Sequence, residues 1–197
     1  KEFEIIKLSL EEAVSEWLKY LDVADHLNID DYGKHGYGIS IKMKENEFPQ
    51  DISQVGFGVS QVLPVVVLGL LAEAKTTLLF EQPELHLHPK VQARLADFFF
   101  MLALTERQCL VETHSEYMIS KLRLSIAECN TSDLSAMSQI YFTEKVNGRS
   151  KYTKVMMNEF GAVIDWPAGF FDESLQQSAS ILNAAVKKRQ LKGSRKK

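Results

Sequence analysis

Cysteine is nearly missing from this 197-residue chain: Cys109 and Cys129 are the only two, in unrelated contexts and without CxxC spacing. That excludes a disulfide framework and a cysteine zinc site, and leaves buried free thiols as the expectation. Long hydrophobic runs are missing too. The most apolar segment, Val62 to Ala72 (VLPVVVLGLLA), is too short to cross a bilayer and is interrupted by Pro64 and Gly69, so it predicts a buried core helix. No signal peptide is visible, and a cytoplasmic location with no membrane partner is expected. The chain begins at Lys1 rather than methionine and reads as a fragment. Charge of one sign is also not in excess. The formal net charge is -3, which excludes a chain built throughout to bind nucleic acid or membrane. Contact with nucleic acid is left open, because Lys187, Lys188, Arg189, Lys192, Arg195, Lys196 and Lys197 form a basic end, read as a solvated tail.

What is present is an ordinary globular composition, 45% hydrophobic and 25% charged, in a chain long enough for one sizeable core. Ser9 to Leu21 opens with a Ser-x-x-Glu capping box and carries Ala13, Trp17, Leu18 and Leu21 at helical spacing. Gly36 to Met43 alternates as a half-buried strand. Thr76 to Phe80 is short and apolar on both faces, which suits a central parallel strand covered by helices. A helix from Pro89 to Leu104, a strand from Gln108 to Glu112 and a helix near Ser115 to Ala127 complete a strand, helix, strand, helix order that predicts a parallel α/β sheet. Farther on, Asn147-Gly148 between Gln139 to Glu144 and Lys151 to Met156 predicts an antiparallel hairpin, followed by the aromatic loop Trp166 to Phe171 and a helix from Ser174 to about Val186.

Three segments carry chemistry. Leu78-Leu79-Phe80-Glu81-Gln82-Pro83-Glu84 is an apolar strand ending in acids, an amide and a proline, a way to present a Mg²⁺-directed carboxylate beside a water-positioning group. Glu84-Leu85-His86-Leu87-His88-Pro89 follows it, and the second strand ends in Val111-Glu112-Thr113-His114-Ser115. Upstream, Gly56-Phe57-Gly58-Val59-Ser60-Gln61 precedes the apolar helix, with glycines that permit close backbone approach and amides at a helix start, where the dipole favours phosphate oxygens. In this order the segments resemble ABC-type ATPases of the OLD and RecF group. Trp166 to Glu173 (WPAGFFDE) resembles the C-terminal extension of a bacterial subgroup that ends in a domain of unknown function.

The resemblance implies an α/β fold: the C-terminal part of an ABC-type P-loop NTPase sheet with flanking helices, lacking the Walker A lobe. It also implies ATP and Mg²⁺ as ligands and a homodimer or higher oligomer. Glu81 would hold Mg²⁺, Gln82 would place water and His114 would sense the γ-phosphate. Gly56, Gly58, Ser60 and Gln61 would form the signature loop against nucleotide held by the opposite subunit, and Glu84 to His88, with Glu84 and His88 as binding residues, would form the loop crossing the interface. Relatives of this kind often work with a nuclease effector in anti-phage defence or DNA repair. The implied division is 1–50 for the end of a preceding lobe, 51–145 for the ATPase core and 146–197 for the C-terminal part.

Two departures qualify this expectation. Gln82 stands where most such ATPases carry a catalytic glutamate, and an amide accepts no proton. Either Gln82 orients water, or a neighbouring acid (Glu81, Glu84 or Glu112) supplies the missing function, or the head binds ATP and hydrolyses it very slowly as a gated scaffold. Second, no GxxxxGK[ST] exists: only Gly33 precedes a lysine, with Asn28 and His35 at the other required positions. This chain alone is therefore expected to be inactive, with the Walker A lobe supplied by the same or a separate chain. A metal-dependent nuclease built on Glu81, Glu84, His86 and His88 is the minor alternative.

Overall fold

The computed structural model describes residues 8–44, 47–129, 133–165, 167, 169–171, 177, 180–186 and 188. They fall into two compact units, 1–125 and 126–197.

In the first unit, helix α1 (Leu10–Leu21) starts as its capping box predicts: the Glu12 N–H donates to Ser9 Oγ at 3.2 Å and the Ser9 N–H donates to the Glu12 carboxylate at 2.8 Å. Val14, Leu18 and Leu21 point into the core. Next comes a three-stranded antiparallel sheet of β1 (His26–Asp31), β2 (Tyr37–Lys42) and β3 (Gln50–Asp51). The alternation of residues 36–43 foretells β2. Its partner β1 escapes the sequence reading because HLNIDD buries a single apolar side chain, Leu27. What fixes β1 is pairing: its six residues face those of β2, and the Leu27 N–H donates to buried Ser15 Oγ on α1.

Helix α2 (Phe57–Leu71) runs through both Pro64 and Gly69. Gly69 is a packing device rather than a break, because a Cβ there would lie 2.6 Å from Phe98 Cζ. Its absence lets α2 lie close on α3 (Pro89–Leu104), which turns Val91, Leu95, Phe98, Phe99 and Leu102 inward. The Trp17 ring meets Phe98 edge-on at 4.9 Å, and α1 is tied to α3 at the rim by Lys90 to Asp22 at 2.5 Å and Tyr20 to Asp97 at 2.6 Å.

Strands β4 (Thr77–Glu81) and β5 (Gln108–Glu112) pair in parallel, Thr77 against Gln108 through Glu81 against Glu112. One face is covered: Leu78 and Phe80 are buried, and Cys109 and Val111 lie against the same core. The other face differs from the expectation of a strand covered on both sides. Leu79 is 68% exposed and Leu110 60% exposed, because the chain supplies helices to one face only among the described residues. Helix α4 (Glu116–Glu128) follows β5.

The second unit holds a short helix α5 (Asp133–Met137) and the hairpin of β6 (Ile140–Val146) and β7 (Arg149–Val155). Its turn is the predicted Asn147-Gly148, both with positive φ (50° and 78°). Phe142 stacks edge-on with Phe170 of the aromatic loop at 5.8 Å. Residues 180–186 are helical, as expected; Trp166 and most of the basic end lie outside the described residues. No described helix is long and apolar enough to cross a membrane.

Candidate functional site at the ends of β4 and β5

Parallel strands end on the same side of a sheet, so the pairing of β4 with β5 brings the two strand-end motifs together. Glu81 closes β4 as an exposed carboxylate opposite Glu112, which closes β5. The chain then turns sharply at Gln82, whose φ is +45°, a left-handed conformation that costs a non-glycine residue and persists only where its surroundings hold it. The hold is visible: the Gln82 N–H donates to the Glu112 carbonyl at 2.9 Å, and the side-chain amide approaches Glu112 Oε1 at 3.4 Å.

Glu84 behaves differently from the exposed Glu81 and Glu112. It is only 6% exposed, and Oε1 accepts the His114 backbone N–H at 2.7 Å while Oε2 has no partner. This carboxylate therefore fastens the loop after β4 to the loop after β5. A second fastening lies beside it: buried Ser115 donates through Oγ to Gln92 Oε1 at 2.6 Å, and Gln92 Nε2 donates to the Leu87 carbonyl at 2.9 Å. Ser115 Oγ also accepts the Met118 N–H at 3.2 Å, ordering the first turn of α4. Gln92 was not singled out from sequence. It sits in the second turn of α3, and only the folded loops reveal what it meets.

His114 itself is exposed, with its backbone held by Glu84. His88 is the N-cap of α3, its Nδ1 accepting the Lys90 N–H at 3.3 Å. His86 has φ of +62° and its ring lies 6.2 Å from that of Phe57, bringing the loop after β4 against the start of α2. Among the described residues no three His, Cys, Asp or Glu gather to hold a metal.

Gly56 is the N-cap of α2 and makes no side-chain capping bond; Gly58, Ser60 and Gln61 lie in its opening turns. Gly56, Ser60 and Gln61 are exposed, and a Cβ on Gly58 would only graze Leu87 at 4.0 Å. The first helical amides therefore lack a side-chain acceptor, the usual arrangement of an anion-receiving helix start. All the candidate residues lie in the first unit.

Solved structures with a similar fold include heads of SMC ATPases. One, from work on ATP-driven dimerisation and DNA-stimulated activation of SMC ATPases, matches with a TM-score of 0.57 at 17% identity over 75% of this chain and 83% of its own. An Smc head bound to the C-terminal winged-helix domain of ScpA matches at 0.57 and 16% over 74% of this chain, and an Smc head with coiled coil and joint from Pyrococcus yayanosii at 0.56 and 15% over 75%. The chain spans 42% and 26% of those two structures. The fold is thus the mixed α/β fold of the ABC-type ATPase head. No curated protein matches. Residues 136–181 match a family of proteins of unknown function (DUF3696). Residues 3–119, which contain every candidate site residue, match the AAA ATPase domain, and the chain belongs to that family of ATPases.

Proposed function

We propose that this chain is the later half of an ATP-binding head that closes as a dimer around Mg·ATP, and that closure controls an attached or partner effector. The observation that carries the reading is the bond from Glu84 Oε1 to the His114 N–H, which joins the loop proposed to cross the dimer interface to the histidine proposed to meet the γ-phosphate. Histidine suits that contact because it donates to a phosphate oxygen without being a fixed cation. In this assembly Gly56, Gly58, Ser60 and Gln61 offer amides and a hydroxyl to nucleotide bound by the opposite subunit. Glu84 and His88 act indirectly, by shaping the loop.

Glu81 is the residue for Mg²⁺. Its exposed carboxylate at a strand end, without a cage of further ligands, fits an ion that keeps several waters and takes its remaining oxygens from substrate phosphates. When bound, the ion neutralises charge on the phosphates. The phosphate loop missing from residues 1–197 must come from a separate lobe, and the open Leu79 and Leu110 face is where we place it. An effector in anti-phage defence or DNA repair, a nuclease among them, fits the resemblance to the OLD and RecF group.

The test uses the complete assembly with its phosphate loop. Sedimentation with and without Mg·ATP should show nucleotide-dependent dimers, lost in Ser60→Arg although nucleotide binding to the phosphate loop persists. His114→Ala should lower turnover by about tenfold or more, the equivalent of about 1.4 kcal/mol in the transition state. An assembly that binds no ATP sinks the reading.

A further inference from the structure

The proposed head has one chemical role unfilled, because Gln82 stands at the water-facing position after Glu81 and an amide accepts no proton. We propose that the proton acceptor is Glu112, delivered from the neighbouring strand. The inference rests on the functional reading above and deepens it.

The geometry narrows three nearby acids to one. Glu84 is 6% exposed and spends one oxygen on the His114 N–H, so it is walled off from attacking water. Glu81 faces the metal in the proposed site, and a carboxylate engaged by a dication is a poor base. Glu112 remains. It is exposed, it ends β5 in register with Glu81, and it stands two residues before His114 on the same strand end. Gln82 is turned toward it: the left-handed backbone at φ +45° is held by the bond from the Gln82 N–H to the Glu112 carbonyl, and the side-chain amide reaches within 3.4 Å of Glu112 Oε1. In donating its N–H to Glu112, the amide leaves its own carbonyl oxygen free to accept a hydrogen from water. Water lying beside the pair is oriented by the Gln82 carbonyl oxygen and deprotonated by the Glu112 carboxylate. As the water oxygen bonds to the γ-phosphorus, its proton passes to the Glu112 carboxylate, and the bond from that phosphorus to the bridging oxygen breaks with the electron pair leaving on ADP. The proton then returns to the released phosphate. Two residues on two strands thus divide what one glutamate does elsewhere.

The experiment compares Glu112→Gln, Gln82→Glu and the double exchange in the complete assembly. Turnover, affinity for a non-hydrolysable ATP analogue, and the identity of the nucleotide extracted after incubation with Mg·ATP are measured. Glu112→Gln should lower turnover by about 10²- to 10⁴-fold, the span of general-base catalysis. It should keep its analogue affinity and retain ATP rather than ADP in the isolated dimer. The double exchange, which returns a carboxylate to the site, should recover turnover. Parental turnover in Glu112→Gln, or its restoration by raised Mg²⁺ alone, would make Glu112 a bystander or a metal ligand and overturn the proposal. Loss of analogue binding in that variant, or a double exchange as slow as the single, would also overturn it by marking Glu112 as structural. A parent assembly that binds no ATP overturns both this inference and the functional reading, whereas an active parent with an active Glu112→Gln overturns only this one.

Discussion

The two faces of the β4 and β5 sheet are built from the same ten residues and live in different surroundings. On one side Leu78 and Phe80 are 6% exposed beneath α2 and α3; on the other Leu79 and Leu110 are 68% and 60% exposed. Their hydrophobicity is comparable, so composition does not explain the difference. A parallel pair needs both faces covered, and only one cover is present in the described chain. The contrast shows that this unit is stabilised as a half layer, with Leu79 and Leu110 left exposed on the other face.

The contrast can be attacked from its strongest side first. Phe80→Ala, beneath the helices and 4.9 Å from the Phe99 ring, should destabilise the chain by about 3–5 kcal/mol in urea unfolding, as truncation of a buried aromatic does. A shift below about 1 kcal/mol would mean the covered face is not the core. Gly69→Ala tests the cover itself. Its new methyl would meet the Phe98 ring and Leu102, so a cost of about 1–3 kcal/mol is expected, where a solvent-facing helical glycine would gain.

Chemical labelling sharpens the comparison along β5. Cys109 lies on the covered side, and burial pushes its thiol up to about 11. At pH 8 its thiolate is scarce, and it should react with a thiol reagent about a hundredfold more slowly than a cysteine introduced by Leu110→Cys on the open side. Equal rates would erase the distinction. The smallest effect belongs to Leu79→Ala, which should change stability by less than about 0.5 kcal/mol in this chain, as surface substitutions do. In the complete assembly the same change should weaken association of the lobe bearing the phosphate loop, measurable by titration calorimetry.

The strand, helix, strand order and the strand-end motifs were legible because burial and chemistry are written in neighbouring residues: Pro89 at the first turn of α3, the box at Ser9 and Glu12, the Asn147-Gly148 turn. Strand β1 was not, since one buried leucine in an acidic hexamer gives no period, and its pairing with β2 is a property of two segments. The same holds in the site. Glu84 reads from sequence as a binding residue of the interface-crossing loop, and its burial against a backbone amide in another strand's loop is seen only in the fold. Gln92 left no signal for the same reason. The unit boundary near residue 125 likewise follows from contacts: α1, β1 and β2 share one core with α2 and α3, including Leu18, Leu27, Ile41, Val62 and Phe98.

The open face formed by Leu79 and Leu110 also bears on how such a head can change over time. In the assembly we propose, with the phosphate-loop lobe joined there, the seam would be a surface contact rather than a continuous stretch of chain, and the amount of polypeptide linking the two halves would be only loosely constrained. Doubling a flexible connection costs about 0.6 kcal/mol in closure entropy. In that proposed assembly, inserted arms, whole domains or an outright division into two polypeptides would leave the seam intact, and large insertions between the halves would need no redesign of the site.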